Sequence, residues 1–578
     1  MSIILSAYFE TKEYQEVCYI IQFVVYKDVD SKLFADKKLR YDIKVIHSKL
    51  MDLIHRYHED ISDVVKINDP KLKSDLVKFV DDNFVDEDEL LSVPFLKLVD
   101  LPDFVRTLDG RIKDVFENVH NLWYKYARKD AENDDGFYTV DPESGNTIMN
   151  KVGYKNDNKL ISNKIHLPNI YFVPGGRFRE LYYWDCNWIL LGLLSCNMHD
   201  VSYELVLSLT YLIDKYGYIP NGSRKYYLGR SQPPMYAQML FRLYKGGIQR
   251  EWVDQVNHPR PESFKGDFYL KGKYFDLWSG AESGWDFSKR WFDKDDIGGI
   301  NTGDIIPVDL NVYILIMERI IQKFYKIKLK SLIGDNEEVK DGSIFVDTDK
   351  KIPDKKHIEI NSDTKEIYEN KIVEYGKYII QREEDINKVL WNKSQNMWND
   401  YNTKTKMFTD SHFYFSNITP LFLKLKIPGN LNLYDIINKY KKELFGYPGG
   451  IPASGAENGG HQWDFPNVWA PLVQMFIEYI YDIEPEMGLH VARSFFSSVY
   501  KGMGTNKQFH EKYDCVRVGV NGKGGEYNPQ EGFGWTNGTV AWIIKVFGND
   551  LIKERKHDES YEKICEIIDK RKTKLLDD

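Results

Sequence analysis

The chain has 578 residues, of which 42% are hydrophobic and 29% are charged, and this composition supports a large core and excludes general disorder. Its formal net charge is −9 and no long Lys/Arg block is present, so we expect no nucleic-acid partner. The longest apolar runs, such as residues 189–196, are far shorter than the ~20 residues of a membrane-spanning helix, so we expect no such segment.

The start of the chain and its cysteines favour a reducing compartment. Five cysteines in a chain of this length, with no CxxC spacing, do not form a disulfide framework or a zinc motif. The first residues lack a basic n-region, and Glu10, Lys12 and Glu13 interrupt any apolar run. We therefore expect a cytoplasmic protein, which would instead be secreted if the true N-terminus carries a signal peptide.

Apolar residues recur with helical spacing in several parts of the chain. Such stripes occupy residues 205–216, 310–324, 473–480 and 492–499. Sustained alternation with a period of two is scarce, so the pattern predicts a mainly α-helical protein. One segment, residues 335–370, is dense in Asp, Lys and Glu, and we predict that it is an inserted, solvated loop or short hairpin.

Polar residues and glycines concentrate in loops between the predicted helices, where catalytic residues are often held. In the first loop, residues 174–185, Arg177, Trp184 and Asp185 cluster just before an apolar helix. The alternative is that Arg177 and Glu180 form a surface pair while Trp184 belongs to the core. A second loop region carries hydrogen-bonding groups on proline-stiffened chain, namely Asn221, Arg230, Ser231 and Gln232.

A third region places a carboxylate beside a tryptophan. Asp286 follows Gly284 and Trp285, and desolvation by such a neighbour would favour the protonated form that a general acid needs. The alternative is that Asp286 caps a short helix over residues 287–291.

The last region, residues 511–538, combines carboxylates with glycines. The P-loop pattern fails there, the dinucleotide-binding spacing is missed by one residue, and no HExxH, GxSxG or clustered His/Cys set occurs in the chain. These absences leave a mechanism with paired carboxylates, no metal and no cofactor. Arg, Trp and carboxylate groups together suit a polyhydroxylated sugar.

Two long motifs resemble the signatures of the trehalase family of glycoside hydrolases. Residues 174–185 read Pro-Gly-Gly-Arg-Phe-Arg-Glu-Leu-Tyr-Tyr-Trp-Asp, and residues 462–471 read Gln-Trp-Asp-Phe-Pro-Asn-Val-Trp-Ala-Pro. The similarity extends in the family's order over nearly the whole chain. It implies an all-α (α/α)6 toroid with active-site loops at one end. The domains it implies are an N-terminal extension (1–24), a catalytic domain (25–555) and a charged tail (556–578).

The resemblance also implies roles for individual residues. Asp286 matches the family's general acid and Glu511 its general base. The positions that match the sugar-binding set are Arg177, Trp184, Asp185, Asn221, Arg230, Ser231, Gln232, Arg260, Pro261, Glu262, Gly284 and Glu526. The expected function is hydrolysis of α,α-trehalose to two glucose molecules with inversion. The alternative is a catalytically silent sensor that binds trehalose.

Two departures from the family's pattern stand out. Lys523 occupies a glycine position of the family's glycine run. The interval over residues 235–259 is shorter than in the family, and we expect it to lack about one outer helix, which would leave an apolar inner-helix face uncovered.

Overall fold

The computed structural model describes most of the chain. The described residues are 12–26, 32–57, 69–86, 99–130, 136–140, 147–151, 162–245, 274–292, 299–333, 362–409, 412–456, 460–504, 507–525, 527–553 and 557–574. Within these ranges the α-helices are Lys12–Val24, Lys32–Ala35, Ile43–Ile54, Pro70–Asn83, Gly110–Tyr126, Asp185–Ser195, His199–Tyr216, Tyr236–Lys245, Tyr274–Glu282, Val308–Ile333, Ser362–Val389, Thr419–Phe422, Leu433–Lys439, Lys441–Phe445, Ala470–Ile480, Pro485–Gly502, Gly534–Phe547 and His557–Lys574.

The strands of the described residues are short, and most of them form two-stranded antiparallel pairs between loops. They are Lys38–Leu39, Phe84–Val85, Ala127–Arg128, Gly136–Val140, Thr147–Lys151, Tyr171–Phe172, Ile305–Ile306, Trp391–Asn392, Met397–Trp398, Tyr401–Asn402, Met407–Phe408, Asn467–Trp469 and Lys512–Asp514. The pair that concerns the site joins Asn467–Trp469 to Lys512–Asp514, with Val468 opposite Tyr513.

Six helices contact one another in a closed ring. In ring order these inner helices are Asp185–Ser195, Tyr236–Lys245, Val308–Ile333, Thr419–Phe422, Ala470–Ile480 and Gly534–Phe547, and the last packs against the first. Phe422 and Tyr479, with ring centroids 5.2 Å apart, join the fourth helix to the fifth. The apolar composition of inner helices explains their central position. Every residue of Ala470–Ile480, for example, is buried, as expected of a helix that is apolar on all sides.

Longer helices pack outside this ring. Gly110–Tyr126 lies against the inner helix Gly534–Phe547, His199–Tyr216 against Asp185–Ser195, and Ser362–Val389 against Val308–Ile333. Outer helices are apolar on one face only; in Gly110–Tyr126 that face includes Ile112, Val115, Phe116 and Val119. A closed inner ring with an outer helical layer confirms the predicted (α/α)6 toroid.

The helices predicted from periodicity are confirmed. The stripe at 205–216 lies in His199–Tyr216, the stripe at 310–324 in Val308–Ile333, and those at 473–480 and 492–499 in Ala470–Ile480 and Pro485–Gly502.

Two expectations about irregular segments are wrong where the structure describes them. Residues 362–370 are not a loop or hairpin, because they open the helix Ser362–Val389, and their charges form a solvated helical face with an i,i+4 pair between Lys365 and Glu369. The apolar side chains of Tyr236–Lys245 are buried rather than uncovered. Residues 334–361 and 246–259, the rest of these two segments, lie outside the described residues.

The first and last described helices pack in different ways. Helices near the N-terminus share a separate apolar core that includes Ile20, Phe34, Ile46 and Leu76. The helix His557–Lys574, near the C-terminus, buries Ile564 and Ile568. The domain boundaries at 24 and 555 remain predictions. No helix in the described part of the chain is long and apolar enough to cross a membrane.

Candidate active site

A cavity lies among the loops that precede five of the inner helices. Its lining consists of aromatic side chains with a few polar groups: Pro174, Phe178, Tyr182, Trp184, Asp185, Gln232, Gly284, Asp286, Gln462, Trp463, Trp469, Glu511, Tyr527, Phe533 and Trp535. The structure therefore brings six of the predicted site residues to one cavity, and these are Trp184, Asp185, Gln232, Gly284, Asp286 and Glu511.

Tryptophans form much of the cavity wall. Trp463 and Trp469 stack with their planes 6° apart and their centroids 4.1 Å apart. Trp184 contacts both Trp463 and Trp535, and Trp285 also packs against Trp463. Such a wall offers apolar faces to a ligand while its rigid packing fixes the loops that carry the polar groups.

Asp286 is held in an unusual backbone conformation. Its φ of 29° is positive, which is rare for a non-glycine residue. Gly284, two residues earlier, has a φ of +80°, and a Cβ there would lie 3.0 Å from Trp184 and 3.1 Å from Pro233. The half-buried Asp286 side chain accepts a hydrogen bond from Gln462 Nε2 at 3.0 Å. Strain of this kind concentrates at functional sites, where the surrounding structure maintains it.

The alternative role of Asp286 as a helix cap is wrong. Ser288 caps the 3₁₀ turn Lys289–Trp291 by accepting from the Arg290 amide. Ser288 also donates to Asp464 Oδ1 at 2.7 Å, and the Lys289 amide donates to Oδ2 at 2.8 Å. Burial raises the pKa of Asp464 to about 6.

Arg290 fastens the same turn to two other elements. Its buried guanidinium pairs with Asp309 at the start of an inner helix and with Asp400. It also stacks on the rings of Trp285 and Trp291, with 4.7 and 4.3 Å between the guanidinium carbon and the centroids. These contacts hold the chain on both sides of Asp286.

Glu511 is buried directly before the strand Lys512–Asp514. Tyr527 donates its hydroxyl hydrogen to Glu511 Oε1 at 2.7 Å, and the Gln530 amide donates to Oε2 at 3.1 Å. The main chain of Glu511 is fixed as well, because its amide donates to the Gln530 carbonyl and its carbonyl accepts from Trp535 Nε1.

The protonation of Glu511 is set by opposing effects. Burial raises its pKa above the usual value. The charge of Lys512, the hydrogen bonds from Tyr527 and the Gln530 amide, and the charge of Arg177 all lower the pKa again. The site thus contains a buried carboxylate whose ionised form has several stabilising partners.

Arg177 belongs to the Glu511 side of the site. Its guanidinium carbon lies 4.6 Å from the centroid of the Tyr527 ring, and its amide donates to Gln530 Oε1. The alternative of a surface pair with Glu180 is wrong, because Glu180 is fully buried and pairs with Lys32 and Arg224.

Three predicted residues, Asn221, Arg230 and Ser231, are not among those that line this cavity. Arg230 Nε donates to Asn221 Oδ1 at 2.6 Å. The Ser231 hydroxyl donates to the Ile219 carbonyl, and its amide donates to Glu282. The other predicted residues, Arg260, Pro261, Glu262 and Glu526, lie outside the described part of the chain. Within the described ranges, no group of three or more His, Cys, Asp or Glu side chains could hold a metal ion.

Sequence reasoning did not single out Gln462 and Tyr527, which contact the two candidate catalytic carboxylates. Both occur inside the motif regions, but their contacts depend on separations of 176 and 16 residues along the chain. No local pattern encodes contacts of this kind.

Comparison with known proteins identifies the family. The profile of the family described as Trehalase matches residues 32–259 and 254–548. The chain belongs to the trehalase family. Among similar members, the trehalase of Bombyx mori is 29% identical, covering 92% of this chain and 90% of that protein. A probable trehalase of Oryza sativa subsp. japonica is 33% identical over 66% of this chain and 73% of its own length.

One solved structure is similar as well. The neutral trehalase Nth1 from Saccharomyces cerevisiae is 21% identical, with a TM-score of 0.48, covering 78% of this chain and 81% of that chain. The two stretches of this chain that match the trehalase family profile overlap at residues 254–259, inside the interval 235–259 that we expect to be shorter than in the family.

Proposed function

We propose that this protein hydrolyses α,α-trehalose to two glucose molecules, with Asp286 as general acid and Glu511 as general base. The observation that carries the proposal is that both carboxylates line one aromatic cavity in a chain of the trehalase family. Their surroundings differ, because Asp286 is half-buried beside Trp285 whereas Glu511 is buried among hydrogen-bond donors and cations.

The proposed reaction needs only these two groups. Asp286, protonated at the start, gives its proton to the bridging oxygen as the glycosidic bond breaks. Ionised Glu511 removes a proton from water, which attacks the anomeric carbon from the opposite face. The donors around Glu511 offset part of the rise in its pKa that burial causes, so the same contacts that hold it also favour the ionised form that a base needs. Each group contributes ~10²–10⁴-fold to the rate.

The other predicted residues are proposed to bind the sugar rings. Trp184, Asp185, Gln232 and Gly284 line the cavity, where Trp184 offers an apolar face and the polar groups can bond hydroxyls. Asn221 and Arg230, which contact each other, and Ser231, which precedes Gln232, keep their proposed binding roles from the resemblance. Arg177 is proposed to bind sugar and to stabilise the Glu511 carboxylate. Arg260, Pro261, Glu262 and Glu526 keep their proposed binding roles from the resemblance.

Two isosteric variants test the catalytic roles. We expect Asp286→Asn and Glu511→Gln each to lower turnover on trehalose by ~10² or more while trehalose still binds, because proton transfer is lost and shape is kept. On α-glucosyl fluoride, whose leaving group needs no proton, Asp286→Asn should recover much of its rate and Glu511→Gln should not. Recovery by Glu511→Gln instead would reverse the assignment.

Exposed carboxylates supply matched controls. Asp558 and Glu366 are exposed, and D558N and E366Q should retain the activity of the unmodified enzyme. Activity should also persist in EDTA. Loss in EDTA with recovery on adding a divalent ion would contradict the metal-free mechanism.

The stereochemistry provides an independent test. Inversion predicts one α- and one β-glucose from each trehalose in the first turnovers, which NMR can record before mutarotation. Only α-glucose at early times would show retention and make one carboxylate a nucleophile. Trehalose binding with no glucose release would instead support the sensor alternative.

The cysteines support the further proposal of a reducing, cytoplasmic location. Five cysteines in so long a chain do not make a disulfide framework, and Cys18, Cys186, Cys196 and Cys515 are buried. Cell fractionation with an antibody tests this proposal, and recovery in the secreted fraction would contradict it.

A further inference from the structure

A short glycine-rich stretch contacts the supports of both candidate catalytic carboxylates. We call residues 522–525 the glycine segment. On one side, the Gly525 amide donates to the Gly460 carbonyl at 3.1 Å, two residues before Gln462, which donates to Asp286. On the other side, the Gly522 amide donates to the carbonyl of Lys512, the residue after Glu511.

Lys512 holds this glycine segment through its side chain. Its ammonium donates to the main-chain carbonyls of Lys523 at 3.1 Å and Gly524 at 2.8 Å. The side chain is only 1% exposed, and its ammonium lies 5.2 Å from the centroid of the Trp469 ring. A buried lysine is costly unless hydrogen bonds and nearby negative charge compensate the lost water.

The packing around the lysine stem is tight. A Cβ at position 522 would lie 2.8 Å from Lys512 Cγ and 2.4 Å from Asn467 Oδ1, so only glycine fits this approach. Asn467 completes the anchor because its side chain accepts from the Lys523 amide and donates to the Lys523 carbonyl. The Lys523 side chain itself is exposed.

The same ammonium acts on Glu511. Among the influences that lower the pKa of Glu511, the charge of Lys512 is the largest. Glu511 is in turn the charged group that favours the protonated form of Lys512, whose pKa burial lowers to about 8.

We propose that Lys512 is a positioning residue, which fastens the glycine segment beside the cavity and supplies a positive charge that favours the ionised form of Glu511. This inference rests on the proposed function, because it takes Glu511 as the base. It adds Lys512, which does not line the cavity and acts through Glu511 and the glycine segment.

Substitutions at Lys512 separate its two contributions. Lys512→Met removes both the hydrogen bonds and the charge. Lys512→Gln keeps a donor for the carbonyls without charge, and Lys512→Arg keeps both. The control is Lys523→Met, which removes an exposed charge from the glycine segment itself. Each variant is assayed on trehalose for kcat, KM and the pH profile of kcat/KM, whose acid limb reports ionisation of the base.

We expect K512M to raise KM on the order of tenfold and to move the acid limb to higher pH by about one unit. The limb moves up because Glu511 without its cationic neighbour holds its proton more tightly. K512Q should show the same shift with a smaller rise in KM, and K512R should keep the acid limb of the unmodified enzyme. K523M should change KM by no more than about twofold. Its acid limb should coincide with that of the unmodified enzyme.

Two results would overturn the inference. One is a folded K512M protein, judged by its thermal unfolding transition, with unchanged KM and an unchanged acid limb. If K512M does not fold, K512Q and K512R decide, and identical acid limbs in these two variants would overturn the inference. The failure of the proposed function is distinct, because the unmodified protein would then release no glucose from trehalose.

Discussion

Among single residues, Glu511, the proposed base, is held by hydrogen bonds at both carboxylate oxygens. Both oxygens of Glu511 accept hydrogen bonds from residues 527–530, a stretch 16 to 19 positions further along the chain. The pocket members that sequence reasoning identified belong to recognisable motifs. Tyr527 was missed because its contact with Glu511 requires the chain to turn back through the glycine segment, and that path is set by tertiary packing.

The hydroxyl of Tyr527 provides the first test at this scale. Tyr527→Phe keeps the ring beneath Arg177 and removes the hydrogen bond to Glu511 Oε1. Because this bond stabilises the carboxylate, its loss should raise the pKa of Glu511 and move the acid limb of kcat/KM upward by about one unit. The measurement is a pH–rate profile on trehalose.

A matched control is Tyr500→Phe, which removes an equivalent hydroxyl from a residue that is 41% exposed. Its profile should superimpose on that of the unmodified enzyme. An unchanged limb in Y527F would show that the hydroxyl does not influence the ionisation of the base.

Among the structural elements, the local sequence determines the helices more fully than it determines the loops. Helices with a clear apolar stripe, such as His199–Tyr216, end close to the predicted positions because their own residues define the buried face. Residues 362–370 were predicted wrongly because a solvated helical face and a polar loop share the same composition. The loops around the cavity take their shape from partners distant in sequence, such as Asp464 for the turn after Asp286.

Asp464 gives this loop contact a measurable pH dependence. Its pKa is near 3.8 when unperturbed and about 6 in the folded protein, so folding favours the protonated form. The stability contributed by this group is fully present below about pH 4 and is lost as the pH rises through about 6. Because the pKa of Asp464 rises from 3.8 to about 6 on folding, this loss of stability is on the order of 3 kcal/mol.

Asp464→Asn cannot ionise and should escape this loss. We expect the stability of D464N, relative to the unmodified protein, to improve between pH 4 and pH 7, as measured by urea unfolding midpoints across this range. Asp558, which is 98% exposed, supplies the control, because D558N should differ from the unmodified protein by a constant amount. A constant difference for D464N would contradict the raised pKa.

At the scale of the whole molecule, the ring explains how distant parts of the chain meet at one cavity. Periodicity predicted individual helices, but the closure of six of them into a toroid was expected only from the family resemblance. Ring closure depends on pairs such as Phe422 with Tyr479 and on the contact between the first and last inner helices. These pairings are long-range, and a local pattern does not specify them.

A buried ionic cluster extends this connection to the N-terminal helices. Lys32 and Asp36 meet Glu180, which lies in the first motif, and Arg224, which lies in the second loop region. The two positive and two negative charges balance. Tyr182, which lines the cavity, donates a hydrogen bond to Glu180, so the cluster links the N-terminal core to the wall of the site.

Charge balance in this cluster predicts that two substitutions together cost less stability than the sum of their separate effects. Lys32→Met leaves a net negative charge in a buried site and Glu180→Gln leaves a net positive one, so each should lower stability by about 3–5 kcal/mol. The double variant K32M/E180Q restores neutrality, and we expect it to recover about 1–3 kcal/mol relative to the sum of the single effects. Urea unfolding midpoints of the four proteins measure this coupling.

The exposed pair of Lys113 and Glu117 gives the control cycle, in which the stability effects of K113M and E117Q should be additive. Additive losses for Lys32 and Glu180 would show that charge balance does not hold the N-terminal helices to the cavity wall.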